Sequence, residues 1–161
     1  MILSINSFGQ PGSSVSATST ATATIVTPIA ISKSIDMNFG NLSVNANAGT
    51  VVITPAGARS ATGGVSLPVV AGTVSATSFA ITGQASYTYS ITLPSSATTL
   101  SDGSGHSMTV DTWTSSPTPT GTLSSGGAET LKVGATLNIT GSQAAGIYTS
   151  ATPFTVTVNY N

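Results

Sequence analysis

The sequence predicts an all-β chain, an antiparallel β-sandwich, and three observations carry that expectation. Apolar residues recur with a period of two, not 3.6. Val, Ile, Thr and aromatic residues dominate the alternating runs. Clusters of Gly, Pro, Ser and Asn punctuate those runs at roughly 8–20-residue intervals, the spacing of sandwich turns. No stretch long enough for a helix carries a helical stripe.

The elements follow in order. Residues 1–8 hold Ile2, Leu3, Ile5 and Phe8, ahead of Gly9-Gln10-Pro11-Gly12-Ser13-Ser14, a hinge by composition. Residues 1–14 are therefore set apart from a single domain over 15–161. Such an apolar segment either folds back as an edge strand or completes the sheet of a neighbouring copy by strand addition. Over 15–25, Val15, Ala17, Ser19, Ala21, Ala23 and Ile25 alternate with Ser16, Thr18, Thr20, Thr22 and Thr24. That pattern predicts a strand with one apolar and one hydroxyl face. Pro28 cannot donate to a ladder and is expected at an edge or bend. The parity resumes with Ile29 and Ile31, then Ile35, Met37 and Phe39.

Further strands are expected over 50–54, ended by Pro55, and over 73–82, ended by Gly83. Residues 86–93 place Tyr87, Tyr89, Ile91 and Leu93 on one face and stop at Pro94. Met108 and Val110 share a side of 107–113, and Leu131, Val133, Ala135, Leu137 and Ile139 share a face of 130–139. Phe154, Val156, Val158 and Tyr160 alternate at the end. Segments 56–64, 101–106, 117–121 and 124–127 read as turns and loops. A solenoid would need a fixed repeat, which the sequence lacks.

Composition narrows the function. Among 161 residues only seven are charged: Lys33, Arg59, Lys132, Asp36, Asp102, Asp111 and Glu129. Three basic residues cannot neutralise a run of phosphates, which excludes nucleic-acid binding by counterion release. The same count excludes a polybasic membrane-surface helix, and no stretch approaches the ~20 apolar residues of a membrane span. Without cysteine there is no thiolate metal site, thiol nucleophile or disulfide. Hydroxyls take the place of charges, with 26 Ser and 28 Thr. At 39% hydrophobic and mean hydropathy +0.32, the chain is not of disordered composition. An uncharged, hydroxyl-rich surface suits a protein outside the cell or packed against its own copies. The N-terminus lacks the basic region of a secretory signal: either the chain is the mature form left after export, the reading preferred here, or the protein is not exported by that route.

Catalytic chemistry is not expected. His106 is the one histidine, in a Ser-Asp-Gly-Ser-Gly-His loop, and no G-x-S-x-G elbow accompanies it. Asp102, Asp111 and Glu129 are scattered and lack calcium-loop spacing, so neither a metal nor a cofactor is expected. Tyr87, Tyr89 and Trp113 offer a sugar-stacking face, but the parity of Tyr87 and Tyr89 with Ile91 assigns both to the interior.

Several stretches resemble a family of secreted bacterial β-proteins catalogued as a domain of unknown function. They are TATATIVTPIAISKSIDMNFGNL (20–42), TVVITPAGARSATGGV (50–65), YSITLPSS (89–96), LKVGATLNI (131–139) and QAAGIYTSATPFTVTVNYN (143–161). The composite of FG, TP-x-G-x-R, AG-x-Y-T and a final alternating strand carries that resemblance, and the early FG and late AG-x-Y-T…V-x-V-x-Y elements are also similar to spore-coat-U-like subunits of archaic chaperone–usher pili. The resemblance implies an immunoglobulin-like pilin sandwich that lacks one strand and is completed by a donor strand from a neighbouring subunit. It implies a homopolymer forming an extracellular, pilus- or fimbria-like filament at the cell surface, with an export chaperone and an outer-membrane assembly platform as partners. Ile2, Leu3, Ile5 and Phe8 would form the donor strand. Ala23, Ile25, Ile29, Ile31, Phe154, Val156, Val158 and Tyr160 would line the acceptor groove. The donor register stays open, because 15–25 alternates more cleanly than 2–8. The chain departs from archaic pilins in having no disulfide at the early strand. The alternative is a monomeric surface adhesin or glycan-binding module using loop tips at 101–106 and 115–121.

Overall fold

The computed structural model describes residue 9 and residues 12–161. Its strands are β1 (Ala30–Ile35), β2 (Ser43–Ile53), β3 (Arg59–Ser66), β4 (Thr77–Thr82), β5 (Thr88–Thr92), β6 (Thr98–Ser101), β7 (Ser107–Ser116), β8 (Thr120–Thr122), β9 (Ala128–Ile139), β10 (Thr149–Ser150) and β11 (Thr157–Tyr160). Every strand pairing is antiparallel, and the described residues contain no helix. The chain is all-β, as its period-two pattern predicts.

Strand β9 organises the larger sheet because its alternating run is long enough to serve two partners along one edge. Its first half pairs with β4, from Thr82↔Ala128 to Thr77↔Val133. Its second half pairs with β2, from Ile53↔Ala135 to Gly49↔Ile139. The handover falls at Gly134, where a Cβ would lie 2.2 Å from the Ile53 carbonyl oxygen. Only glycine allows β2 to leave β9 so closely. The opposite edge of β9 carries β7, followed by β6 and β10, while β1 lies beyond β4 and β3 beyond β2. A smaller sheet has the order β11-β5-β8.

The apolar face of β9 feeds two cores. Leu131 and Val133 join Ile81 of β4 against Tyr89, Val156 and Val158, with Leu123 also buried among them. This cluster lies between the two sheets and makes the fold sandwich-like. Ala135, Leu137 and Ile139 join Val51, Ile53, Val65, Val110 and Phe39 in the other. Trp113 packs against both, its ring centroid 4.4 Å from that of Phe154. Each fully buried Leu, Ile or Val stabilises the fold by about 1.5–3 kcal/mol relative to exposure.

The structure corrects four expectations. Residues 15–25 are not a strand: residues 12–29 contain none, and Val15 and Ile25 are 96% and 98% exposed. Alternation makes a segment able to pair, but a strand exists only where a second strand supplies hydrogen bonds. No edge of the chain's own sheets supplies them here. Segment 56–64, read as a turn, begins β3, and its Gly63-Gly64 pair lies beside a register shift in β2 between Val44 and Gly49. The punctuated segments 101–106 and 117–121 likewise overlap the short strands β6 and β8, whose few residues suffice because each pairs with a longer neighbour. Tyr87 is 44% exposed, not interior, and only its parity mate Tyr89 is fully buried. Tyr87 precedes β5 and instead meets Tyr160 edge-on at 5.6 Å.

Candidate functional site

The most distinctive surface is the seam where the two sheets meet at β1 and β11. Strand β1 ends the larger sheet and β11 ends the smaller one, so each has an edge on which no other described strand is laid. The two strands lie close together. Natural sheets blunt such edges with charge, proline or bulges, and β1 carries a register irregularity between Lys33 and Ile35. Here β11 carries no charge. On β1, Lys33 is engaged with Asp36 at 2.5 Å, an ion pair whose side chains are 55% and 78% exposed and which therefore contributes little to stability.

One end of the seam is pinned by hydrogen bonds. The Tyr160 hydroxyl donates to the Thr27 carbonyl oxygen at 2.7 Å and accepts from the Gln84 amide at 2.6 Å. The Thr27 amide donates to Gln84 Oε1 at 3.1 Å. Both backbone polar groups of Thr27 are thus satisfied by residues at the end of the small sheet and the turn after β4. The chain enters β1 from this anchor.

The structure brings six of the eight expected groove residues together. Val156 and Val158 are part of the inter-sheet core, and Ile29, Ile31, Phe154 and Tyr160 pack against it half-buried. Ala23 and Ile25 do not join them; both are exposed on the segment preceding β1. The expected donor residues Ile2, Leu3, Ile5 and Phe8 lie outside the described residues.

The recurring motifs are structural in their contacts. In FG, Gly40 adopts φ +70°, and a Cβ there would lie 2.4 Å from the Ala71 carbonyl oxygen and 2.6 Å from Arg59 Nη1. Arg59, the last residue of TP-x-G-x-R, donates from that nitrogen to the carbonyls of Phe39 at 2.6 Å and Asn41 at 3.1 Å. The two motifs form one unit: the guanidinium holds the carbonyls on either side of the turn that only glycine fits. In AG-x-Y-T, the Tyr148 hydroxyl donates to the Ala144 carbonyl at 2.8 Å and accepts from Gln143 Nε2 at 3.0 Å, closing the corner before β10.

Polar groups elsewhere are similarly employed. Tyr89, fully buried, donates to Glu129 Oε2 at 2.8 Å, and the Thr122 amide donates to the same oxygen at 2.9 Å. Burial, then the Glu129 hydrogen bond and charge, push the Tyr89 phenol well above its ordinary value. In the 101–106 loop, Asp102 Oδ2 lies 2.6 Å from His106 Nδ1, while Oδ1 accepts from the amides of Ser104 and His106. Burial raises the Asp102 pKa, but these hydrogen bonds outweigh it and hold the carboxyl below its usual range. Among the described residues no group of three His, Cys, Asp or Glu side chains gathers as a metal site. A groove of about 560 Å³ lies between Leu93–Pro94 and Pro153–Phe154; it carries no histidine or acidic residue.

The sequence profile of a domain of unknown function, DUF4402, matches residues 29–160. The chain belongs to the DUF4402 family. The match opens one residue before β1 and closes on Tyr160, the last residue of β11, so the DUF4402 domain coincides with the whole strand system. The exposed segment ahead of Ile29 lies outside it. No curated protein and no solved structure matches the chain.

Proposed function

We propose that this DUF4402 chain is a structural subunit of an extracellular, pilus- or fimbria-like filament. In this reading the domain is an immunoglobulin-like sandwich short of one strand. The extension ahead of β1 of one copy enters the seam between β1 and β11 of the next.

The observation that carries the reading is the combination of two free strand edges and an unpaired segment. Two uncharged or charge-neutralised edges, β1 and β11, lie side by side over one apolar core. The same chain carries an alternating, exposed, unpaired segment. Backbone ladder bonds would hold each joint, and burial of an apolar side chain would add about 1.5–3 kcal/mol when complete. Because donor and acceptor are different surfaces, the contact is head-to-tail and generates an open filament, not a closed ring. A surface of hydroxyls opposite apolar faces suits repeated packing outside the cell. Delivery would require an export chaperone and an outer-membrane assembly platform, since an apolar extension held in water is an aggregation hazard.

The test is electron microscopy of native material and of a chain lacking residues 1–25. Filaments in the first and none in the second are expected. Native material consisting of monomers would overturn the reading in favour of a monomeric adhesin or glycan-binding module.

A further inference from the structure

We propose that residues 15–25, and not residues 2–8, are the strand that enters the neighbouring copy. The inference rests on the filament reading and assigns its register.

Three observations favour this segment. First, its pattern matches a strand with one mainly apolar and one wet face: Val15, Ala17, Ala21, Ala23 and Ile25, interrupted by Ser19, against Ser16 and four threonines. The structure leaves all of these residues exposed, with Val15 and Ile25 almost wholly in water. Second, the segment ends just before Thr27, whose amide and carbonyl are fixed to Gln84 and Tyr160. A strand over 15–25 therefore leaves the parent domain directly from a rigid anchor. A donor at 2–8 would instead leave residues 9–26 spanning the joint, with their apolar face still in water. Third, the seam is shallow. Val156 and Val158 retain only 8% exposure each. The middle of the 15–25 face is small, with Ala17, Ser19, Ala21 and Ala23 between Val15 and Ile25, and suits that depth, whereas Leu3 and Phe8 would need the floor to open, and overpacking a closed core costs about 1–3 kcal/mol.

The test compares full-length chains carrying Ala23→Asp, Thr22→Asp or Ile5→Asp, each scored for polymer by sedimentation and electron microscopy. Melting temperature of the monomer fraction serves as the folding control. Ala23 and Thr22 are exposed and unpaired in the free chain, so neither of those two substitutions is expected to shift it. Ala23→Asp puts a charge on the inserted face and should reduce polymer about tenfold or more, a change of ~1.4 kcal/mol per factor of ten. Thr22→Asp and Ile5→Asp should leave it within about twofold of wild type. Polymer lost in Ile5→Asp and retained in Ala23→Asp would overturn the register while leaving the filament reading standing. Equal loss in Thr22→Asp and Ala23→Asp would overturn insertion by one face. A wild-type chain that never polymerises would remove the filament reading and this register together.

Discussion

Tyr160 and Thr27 are joined by a 2.7 Å hydrogen bond across 133 positions of sequence, the hydroxyl of the penultimate residue donating to the carbonyl that precedes Pro28. The same hydroxyl accepts from the Gln84 amide. One side chain thereby ties the root of the extension, the turn after β4 and the end of β11. It sits where the two sheets would otherwise part.

Tyr160→Phe keeps the ring and its edge contact with Tyr87 but removes both hydrogen bonds. The Gln84 amide loses its partner in a partly buried place and the Thr27 carbonyl loses its own in an exposed one. A loss of about 1–3 kcal/mol is expected, read as a fall of a few degrees in melting temperature for a domain of this size. An unchanged melting temperature would show that the tie holds nothing.

Arg59→Met retains the apolar stem and removes the donors to Phe39 and Asn41. Hydrogen bonds to charged groups contribute about 1.5–3 kcal/mol, and a urea midpoint lowered by that free energy divided by the slope, with the slope unchanged, is the expected result. Gly40→Ala strains the same turn, so the double variant should lose less than the two single losses added together.

Acid stability should depend on Asp102. Its carboxyl is held below the ordinary value of 3.8 in the folded chain. A group depressed on folding contributes stability that is present above its unfolded pKa and lost as pH falls through its folded one. Unfolding free energy should therefore begin to drop as pH falls below about 3.8, and Asp102→Asn should flatten that part of the curve. Denaturant titrations at descending pH check the slope. An identical slope in the variant would remove Asp102 from the account.

Much of the fold was legible in particular residues. The five-residue apolar face of β9 and the alternation of Val156, Val158 and Tyr160 reported buried strand faces correctly, because a period of two exposes burial on one side directly. Strand β3 was not legible, because Gly63-Gly64 in isolation signals a turn, and only the shifted register of β2 makes it a pairing site. Residues 15–25 failed in the opposite sense. Their pattern is that of a strand, yet pairing depends on an edge elsewhere. Parity says which face is apolar and not what lies against it: Ile29, Ile31, Phe154, Val156, Val158 and Tyr160 meet at the inter-sheet core, while Ala23 and Ile25 stay exposed.

The Arg59–Gly40 unit shows the same division. The motifs FG and TP-x-G-x-R were visible as words some twenty positions apart, but nothing in their spacing says that the guanidinium meets the turn.

The sequence by itself determined that this protein is all-β, that it is rich in hydroxyls and poor in charges, and that it has no cysteine thiolate and no run of about 20 apolar residues. These are properties of composition and local period, and they need no partner. Only the tertiary structure decided which edges are left open, which side chains close the seam, and that the alternating segment 15–25 stays unpaired. Those are long-range matters, since a ladder is a relation between two segments and one segment's residues specify only their own half of it.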